Sequence, residues 1–362
     1  MSKRRDRPRE TQGRKISRRK VCQLSTLAWA GLAGHGIARG GNQTKRRWSS
    51  TKELIAALDG PHNYLPTPFH ANYDLNVAGL RQNVAYHAQR DRLTVVVGGG
   101  YGEGWKLSLE EHQQLVAAAV VGAQRQMPVM AGVIGGYKIS IQMAINAEKA
   151  GADALVIFPP RGKNWPAESY YEYFQDILKS VQVGAVILPS GQHDFWPDVL
   201  IRLAELPNMI GFFPALGPDD GYYPKVGRQV LEAVSKPLLF ISENEPAAAD
   251  CFAVGSRAYS TAVADLIPRT SRKFWEYGTS GKIAKMKDVL QRELNPILGI
   301  RGYQPGYGIS GIKIAMEILG RAGGPIRPPG TQVEPRDRAA IVEILTKHQE
   351  TSSLVVSPTS PS

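Results

Sequence analysis

Short, continuous apolar runs recur along the chain between residues 62 and 265, each followed by a Gly- or Pro-rich turn and a helical pattern. Continuous rather than alternating hydrophobicity is typical of parallel strands that are covered on both faces. The spacing of roughly 20–35 residues matches one strand–helix unit. Eight such runs are present: Tyr64–Phe69, Thr94–Val97, Val129–Val133, Ala154–Phe158, Ala185–Leu188, Met209–Phe213, Leu238–Ile241 and Ala258–Val263.

Eight consecutive strand–helix units predict a (β/α)8 TIM barrel, and a doubly wound sheet is the alternative that the pattern leaves open. The segments between the runs have helical periodicity. In one of them, Ile141, Ala144 and Ile145 fall on a single face, and Gly151 supplies the stop signal.

The C-terminal part of the chain is also predicted to be helical. Residues Pro268–Gly320 and a last segment from about Glu334 to Lys347 have helical patterns, which is more than the eighth helix of a barrel needs. We therefore predict one domain over residues 51–348, a barrel with a helical C-terminal extension. Residues 349–362 are rich in Ser, Thr and Pro, and we predict a disordered tail there.

The positive charge of the chain is confined to its N-terminal segment. Residues 1–50 contain 14 Lys and Arg against 2 Asp and Glu, whereas the remaining chain contains 30 of each. A folded nucleic-acid-binding domain is not expected, since it needs a basic face on the body of the protein. With only Cys22 and Cys251, no disulfide framework or cysteine zinc site is expected, and no apolar run is long enough to span a membrane.

The basic segment has the layout of an export signal. Ser17, Arg18 and Arg19 precede the mildly apolar stretch Val21–Ala33, and further positive charges lie upstream. The paired arginines resemble a twin-arginine signal. We predict that residues 1–50 are a signal plus a linker and that the protein is exported, to the periplasm. The alternatives are a disordered basic tail on a cytoplasmic protein and a wrongly assigned start codon.

A glycine-rich turn, Gly98–Trp105, follows the second apolar run. Its spacing fits neither the dinucleotide-binding fingerprint nor the P-loop. Backbone N–H groups in such a turn can bind a carboxylate or a carbonyl oxygen, and the alternative is simply a tight strand-to-helix turn.

Several motifs, taken in order, resemble the dihydrodipicolinate synthase / N-acetylneuraminate lyase family. In the first half they are Leu65–Phe69, Gly99–Glu103, Glu110–His112, Ala131–Val133, Ala150–Ala154 and Pro159–Pro160. In the second half, Tyr259–Val263, Gly306–Lys313 and Gly324–Pro329 are similar to the 5-dehydro-4-deoxyglucarate dehydratase branch. The likeness covers about residues 55–348. It implies a TIM barrel with a helical extension, lyase activity on a small sugar acid or 2-keto acid, no cofactor and a homo-oligomer.

The chain departs from that family at the reacting residues. The resemblance implies a Schiff-base lysine at the end of strand six and a proton-relaying tyrosine on strand five, but Phe213 and Leu188 occupy these positions. A phenylalanine has no lone pair and forms no imine, so the family mechanism does not operate with this residue set. Lys138 and Lys163, on loops of the same face, are the candidates for a relocated lysine.

Acidic and polar residues that follow the predicted strands are the alternative candidates, because catalytic groups in TIM barrels lie at the carboxyl ends of the strands. Glu243, Glu245 and His193 are the predicted catalytic residues, and this combination leaves room for a divalent metal. The alternative for His193 is a purely structural one, in which it begins the helix that follows. The predicted substrate-binding residues are Thr67, Gly99, Gly100, Tyr101, Glu103 and Ser260, and for Glu103 the alternative is a helix cap.

Two functions follow from these observations. The first is a lyase that acts on a small acidic substrate without a Schiff base. The second is a pseudoenzyme that keeps the scaffold and binds a small acidic ligand.

Overall fold

The computed structural model describes residues 47–91, 93–160, 165–215 and 221–355 of the chain. Eight parallel strands form a closed barrel in sequence order, with the last strand pairing with the first. The predicted (β/α)8 barrel is confirmed. The strands are β1 (Gly60–Tyr64), β2 (Thr94–Val97), β3 (Val129–Val133), β4 (Ala154–Ile157), β5 (Gly184–Ile187), β6 (Met209–Phe212), β7 (Leu239–Ser242) and β8 (Ala258–Thr261).

Helices cover the outside of the barrel and alternate with its strands. They begin and end where the sequence supplies caps: the Ser108 hydroxyl and the Glu111 carboxylate form a capping box, and Gly151, with φ 90°, ends the helix before β4. The helices are α1 (Thr51–Ala57), α2 (Val77–Arg90), α3 (Leu109–Ala123), α4 (Tyr137–Ala150), α5 (Ala167–Lys179), α6 (Trp196–Leu203), α7 (Tyr222–Ala233), α8 (Glu245–Ala253) and α9 (Pro268–Thr279).

The face of α4 that packs against the barrel contains the predicted residues. Ala144 is buried, and Ile141 and Ile145 are partly buried and pack against the same core cluster. Met143 and Ala147 are buried as well and widen the apolar stripe beyond the prediction.

Apolar clusters lie on both sides of the barrel wall, one between strands and helices and one inside the barrel. This follows because successive residues of a strand face opposite sides. On β5, Ala185 and Ile187 face the surrounding helices, whereas Val186 and the following Leu188 belong to the cluster inside the barrel. Leu54 of α1 joins the inner cluster, and α1 thereby covers the end of the barrel at which the strands begin.

An irregularity in the pairing of β5 with β6 decides what faces the interior near the end of β6. The register shifts by one residue at Ile210. Because of this extra residue, Ile210 and Phe213 both lie in the inner cluster although they are three positions apart. Phe212 faces the helices and stacks on Phe240 with ring centroids 5.2 Å apart.

The predicted helical C-terminal extension is present. It comprises α10 (Ile283–Val289), a wide helical turn (Leu290–Leu294), α11 (Asn295–Gly302), α12 (Tyr307–Ile318) and α13 (Pro335–Lys347). The last helix begins directly after Glu334, within one residue of the prediction.

The first strand was predicted wrongly. The predicted run was Tyr64–Phe69, but β1 ends at Tyr64. Pro66 and Pro68 cannot donate a backbone hydrogen bond to a neighbouring strand, so the run continues as a loop. The hydrophobic pattern does not reveal the actual strand, because it contains the polar residues His62 and Asn63. Both side chains are buried and form hydrogen bonds inside the protein.

The ordered body is longer at both ends than predicted. The Arg47 guanidinium donates to the Met127 carbonyl at 2.6 Å, so chain contacts begin before residue 51. Near the other end, Glu350 accepts the backbone N–H groups of Arg269 and Thr270 at 2.8 and 2.9 Å. These bonds cap the start of α9, and the prediction of disorder from residue 349 is wrong for residues 349–355.

The predicted signal, with Arg18 and Arg19, lies outside the described residues, as do residues 356–362. Among the helices that the structure describes, none has both the length and the apolar character needed to cross a bilayer. Cys251 is buried.

Candidate active site

The inward-facing residues at the carboxyl ends of the strands form an apolar layer with one carboxyl group. Tyr64, Phe158, Leu188 and Phe213 are buried members of the inner cluster, and Glu243 directly follows β7. We call these five residues the barrel mouth. Phe213 stands at the position that the resemblance assigns to the lysine. Its side chain is buried, with 1% of its surface exposed.

Glu243 is held at the mouth by its neighbours. Its backbone carbonyl accepts a hydrogen bond from the Ser260 hydroxyl on β8, and its Oε2 atom accepts one from Asn244 Nδ2 at 2.5 Å. Burial raises the pKa of Glu243 to about 7, and the charge of Glu245 adds to the rise although the Asn244 bond opposes it. The carboxyl group therefore exchanges its proton near neutral pH.

Tyr64 lies within range of the charge of this carboxyl group. Burial raises the pKa of the Tyr64 phenol, and the charge of Glu243 raises it further. The phenol stays neutral at pH values where Glu243 ionises, so it remains a hydrogen-bond donor in the mouth. The mouth thus combines a titrating carboxyl group with a neutral hydroxyl group inside an apolar lining.

Glu245 does not share this position. It is the first residue of α8, after Asn244, whose side chain caps the helix by accepting from Ala247 N at 2.9 Å. Burial raises the pKa of Glu245 to about 7, and a hydrogen bond with the Thr261 side chain opposes the rise. Its charge acts on Tyr259, which faces the helices, so Glu245 lies in the barrel wall behind Glu243.

His193 is not brought together with the two carboxyl groups in the described structure. It lies in the connection between β5 and α6, where its ring stacks on Phe195 with centroids 4.8 Å apart. Its backbone carbonyl accepts the Tyr222 hydroxyl at 2.7 Å. These contacts favour the alternative reading of His193 as part of an ordinary helix start.

Thr67 and Glu103 are buried and already have partners. The Thr67 hydroxyl donates to the Gly102 carbonyl at 2.5 Å. Glu103 forms an ion pair of 2.9 Å with Lys313 of α12 and another of 3.0 Å with Lys106. Its side chain therefore ties the glycine-rich turn to the C-terminal extension. Glu103 precedes the short helical turn Gly104–Lys106, but its side chain makes no capping hydrogen bond there, and the geometry favours a structural role over contact with substrate.

The glycines of the Gly98–Trp105 turn serve close packing as well as the mouth. A Cβ atom at Gly104 would lie 1.9 Å from the Gly98 carbonyl oxygen, so the turn itself requires glycine there. A Cβ atom at Gly99 would lie 3.1 Å from the Tyr64 ring. The backbone at Gly99 and Gly100 thus borders the mouth, where the predicted substrate-binding segment is expected to be.

Two residues of the site were missed by sequence reasoning. Tyr64 was counted as an apolar strand residue, and its neighbour Glu243 is far away in sequence. Arg301 of α11 places its guanidinium carbon 4.6 Å from the centre of the Tyr101 ring, and Tyr101 packs against the inner cluster. No local signal marks Arg301, because its position depends on how the C-terminal extension packs on the barrel.

The remaining candidates are a metal and a relocated lysine. Within residues 47–91, 93–160, 165–215 and 221–355, no group of three or more His, Cys, Asp or Glu is placed to hold a metal ion. Lys138 is exposed at the start of α4, with its ammonium 5.5 Å from the centre of the Tyr137 ring. Lys163 lies outside the described residues.

Two cavities of the described structure lie away from the mouth. One, of about 310 Å³, is lined by residues such as Phe69, Ser310 and Glu317. The other, of about 230 Å³, lies between α6 and α7, beside Asp194 and Tyr222. Neither contains a mouth residue, so we place the candidate site by its chemistry rather than by cavity size.

Residues 58–348 match the dihydrodipicolinate synthetase family. The chain belongs to this family. The probable 5-dehydro-4-deoxyglucarate dehydratase of Bradyrhizobium diazoefficiens is 29% identical over 285 residues, covering 78% of this chain and 89% of the relative. The protein of the same name from Acidovorax ebreus is also 29% identical over 285 residues and covers 78% and 92%. These relatives are named as dehydratases, in agreement with the predicted lyase class.

Solved structures of the family have the same fold. Dihydrodipicolinate synthase from Aquifex aeolicus superposes with a TM-score of 0.73 at 18% identity, covering 83% of this chain and 99% of that one. The Oceanobacillus iheyensis enzyme gives a TM-score of 0.73 at 24% identity, with 82% and 98% covered. The family and branch predicted from the motifs agree with these comparisons.

Proposed function

We propose that this family member is a lyase that removes water from a small sugar acid carrying a keto group, without an imine, and that Glu243 carries the proton. The observation that supports the proposal most directly is the Glu243 carboxyl group, which borders the apolar mouth within range of Tyr64, with a pKa of about 7. Such a pKa suits a group that must both accept and release a proton near neutral pH.

The proposed chemistry balances with this one carboxyl group. Glu243, as the carboxylate, removes a proton from the carbon next to the keto group, and the electron pair of that C–H bond forms an enolate. The Tyr64 phenol donates a hydrogen bond to the enolate oxygen. Glu243 then returns the proton to the hydroxyl group on the following carbon, which leaves as water while the carbon–carbon double bond forms.

The apolar side chains of the mouth provide the surroundings of the reacting group and take no part in the bond changes. Phe213 and Leu188 carry no nitrogen or oxygen for an imine or a proton relay. They make the mouth apolar, and burial is the main cause of the raised pKa of Glu243. A keto group withdraws electrons less strongly than an iminium, so we expect turnover to be slow.

The second candidate function is a pseudoenzyme that binds a small acidic ligand. The observation that favours it is the filling of the barrel interior, where Phe213, Leu188 and Phe158 are almost fully buried. In this case Glu243 and Tyr64 bind the ligand, and no bond of the ligand breaks.

The decisive experiment follows 5-dehydro-4-deoxyglucarate by proton NMR with wild-type protein and with Glu243→Gln. We expect slow loss of water with the wild type and a rate about 100-fold or more lower for the variant, the usual effect of removing a general base. Glu110→Gln, at an exposed residue of α3, is the matched control and should keep the wild-type rate. Binding of the compound without turnover by the wild type would favour the pseudoenzyme.

The proposal extends to location and assembly. We propose export through the twin-arginine signal of residues 17–19 and assembly into a homo-oligomer, as the family resemblance implies. Replacing both Arg18 and Arg19 by Lys should leave the precursor in the cytoplasm, as judged by fractionation and immunoblotting. Export of mature-length protein from this variant would contradict the twin-arginine interpretation.

A further inference from the structure

The side chain of Asn244 contacts two different groups at the carboxyl end of β7. Its Oδ1 atom accepts a hydrogen bond from the Ala247 backbone N–H at 2.9 Å, and its Nδ2 atom donates to Glu243 Oε2 at 2.5 Å. One amide group therefore links the first turn of α8 to the carboxyl group at the mouth. Because the helix uses the oxygen end of the amide, the nitrogen end is the one that faces Glu243.

The surrounding backbone fixes the place of this amide. Asn244 is extended, with φ −154° and ψ 171°, as is typical of an N-cap residue, and Pro246 lies in the first turn of the helix that follows. The Ser242 hydroxyl donates to the Asn244 carbonyl at 3.1 Å, and the Ser260 hydroxyl on β8 donates to the Glu243 carbonyl. The backbone of both residues is thus tied to β7 and β8, so the amide stays next to the carboxyl group.

The two carboxyl oxygen atoms of Glu243 differ as a result. Oε2 is occupied by Asn244, whereas Oε1 has no hydrogen-bond partner among the described residues. Burial raises the pKa of Glu243, and the Asn244 bond opposes the rise because a hydrogen bond to a carboxylate favours its charged form. The described titratable groups that interact with this carboxyl group are Glu245 on α8 and the Tyr64 phenol on β1, and neither favours the charged form.

We infer that Asn244 is a positioning residue whose amide, oriented by the start of α8, holds Glu243 Oε2 and leaves Oε1 as the oxygen that exchanges a proton with the substrate. The inference rests on the proposed function for the role of Glu243 as the base. A purely structural cap would stabilise α8 to the same extent without contacting Glu243. Its loss would lower the stability of the protein and leave the titration of Glu243 unchanged.

The test separates the two contacts of Asn244. Asn244→Asp keeps the size of the side chain and an oxygen atom to cap α8, and it replaces the donor to Glu243 by a second oxygen atom. The titration of Glu243 is followed by NMR of protein labelled at its glutamate carboxyl carbons, with Glu243→Gln to assign the signal. We expect the midpoint to rise by about one pH unit or more, because a hydrogen bond to a charged group is replaced by a contact between like charges.

The matched control changes an asparagine that caps a helix away from the mouth. Asn76 caps α2 in the same way, by accepting from Gly79 N at 2.8 Å. Asn76→Asp should leave the midpoint of Glu243 unchanged. An equal shift for the Asn76 and Asn244 variants would overturn the inference, because it would show a general effect of charge or of cap replacement.

A second variant of Asn244 removes the donor without adding a charge. Glycine is well tolerated at an N-cap, so Asn244→Gly should fold, and the midpoint of Glu243 should still rise by about half a pH unit. In both variants kcat for loss of water from 5-dehydro-4-deoxyglucarate should fall by about tenfold with little change in KM, because the base is less often in its reacting geometry.

The outcomes distinguish this inference from the proposed function. A midpoint that does not move in either Asn244 variant overturns the inference, as does an unchanged kcat in both variants of an active enzyme. A shifted midpoint in a wild-type background that turns over no substrate would refute the proposed function alone, because the titration is measured without substrate.

Discussion

Two carboxyl groups that each follow a strand of the same barrel, Glu103 buried and Glu243 half-buried, have opposite surroundings. Glu103, after β2, lies between Lys313 and Lys106 and also accepts the Arg327 backbone N–H at 3.0 Å. Glu243, after β7, has one amide donor and no cation within hydrogen-bonding distance in the described structure. Two ammonium groups bind the Glu103 carboxyl group as a structural link, whereas burial raises the pKa of Glu243 to about 7.

The comparison teaches that burial of an acidic residue at a strand end does not by itself indicate catalysis. What separates the two groups is whether the protein supplies the countercharge. Sequence reasoning assigned Glu103 to substrate binding and Glu243 to catalysis on the same kind of signal, and only the partners distinguish them.

The largest expected effect comes from removing the countercharge of Glu103. Lys313→Met leaves a fully buried carboxylate with a single ammonium partner, and we expect it to lower the free energy of unfolding by about 3–5 kcal/mol. Urea denaturation followed by circular dichroism measures the change. Lys347→Met, which breaks the exposed pair with Glu343, should leave the free energy of unfolding almost unchanged. Equal losses of unfolding free energy for the two variants would contradict a special dependence of Glu103 on Lys313.

The second prediction concerns the proton on Glu243. Because the carboxylate acts as the base, kcat/KM should rise with pH through about 7. Glu243→Asp should keep a rising limb at lower rate, and Glu243→Gln should abolish it. A wild-type profile that is flat between pH 5 and pH 8 would rule out a titrating general base at this position.

The third prediction links Glu245 to stability. Burial raises its pKa from 4.5 to about 7 in the folded protein, so the folded form binds the proton more tightly than the unfolded form. The stability that this proton provides is complete below pH 4.5 and is lost as the pH rises through 7, by roughly 2–3 kcal/mol. Glu245→Gln should reduce the loss, measured as the difference in unfolding free energy between pH 4.5 and pH 8. An unchanged difference would show that Glu245 titrates as an ordinary surface acid.

The smallest effect is expected from restoring an amine at the mouth. Wild-type protein should form no borohydride-reducible adduct with pyruvate. Phe213→Lys should form one weakly, because the apolar surroundings lower the pKa of the new amine but no phenol replaces Leu188. Phe213→Lys with Leu188→Tyr should form more, as measured by intact-protein mass spectrometry. An adduct on unmodified protein, mapped to Lys138, Lys163 or any other lysine, would overturn the proposal of catalysis without an imine.

Much of the fold was accessible from the sequence. Runs of buried residues at strand–helix spacing predicted the barrel, and β2 to β8 lie within or close to the predicted runs. The exception was β1, whose polar residues His62 and Asn63 are buried because the tertiary structure provides partners for them. A hydrophobicity pattern does not show such partners, since they lie on other elements of the chain.

The sequence by itself determined the barrel and its family, because these depend on local pattern and residue chemistry. That Phe213 and Leu188 stand in place of the expected lysine and tyrosine stays a prediction from the motifs. The tertiary structure decided which polar residues share a site. It paired Glu103 with Lys313, from 210 positions away, and set Tyr64 within range of the charge of Glu243 and Arg301 over Tyr101. Charge compensation and desolvation act through space, so the role of a buried acid depends on contacts that no stretch of sequence contains.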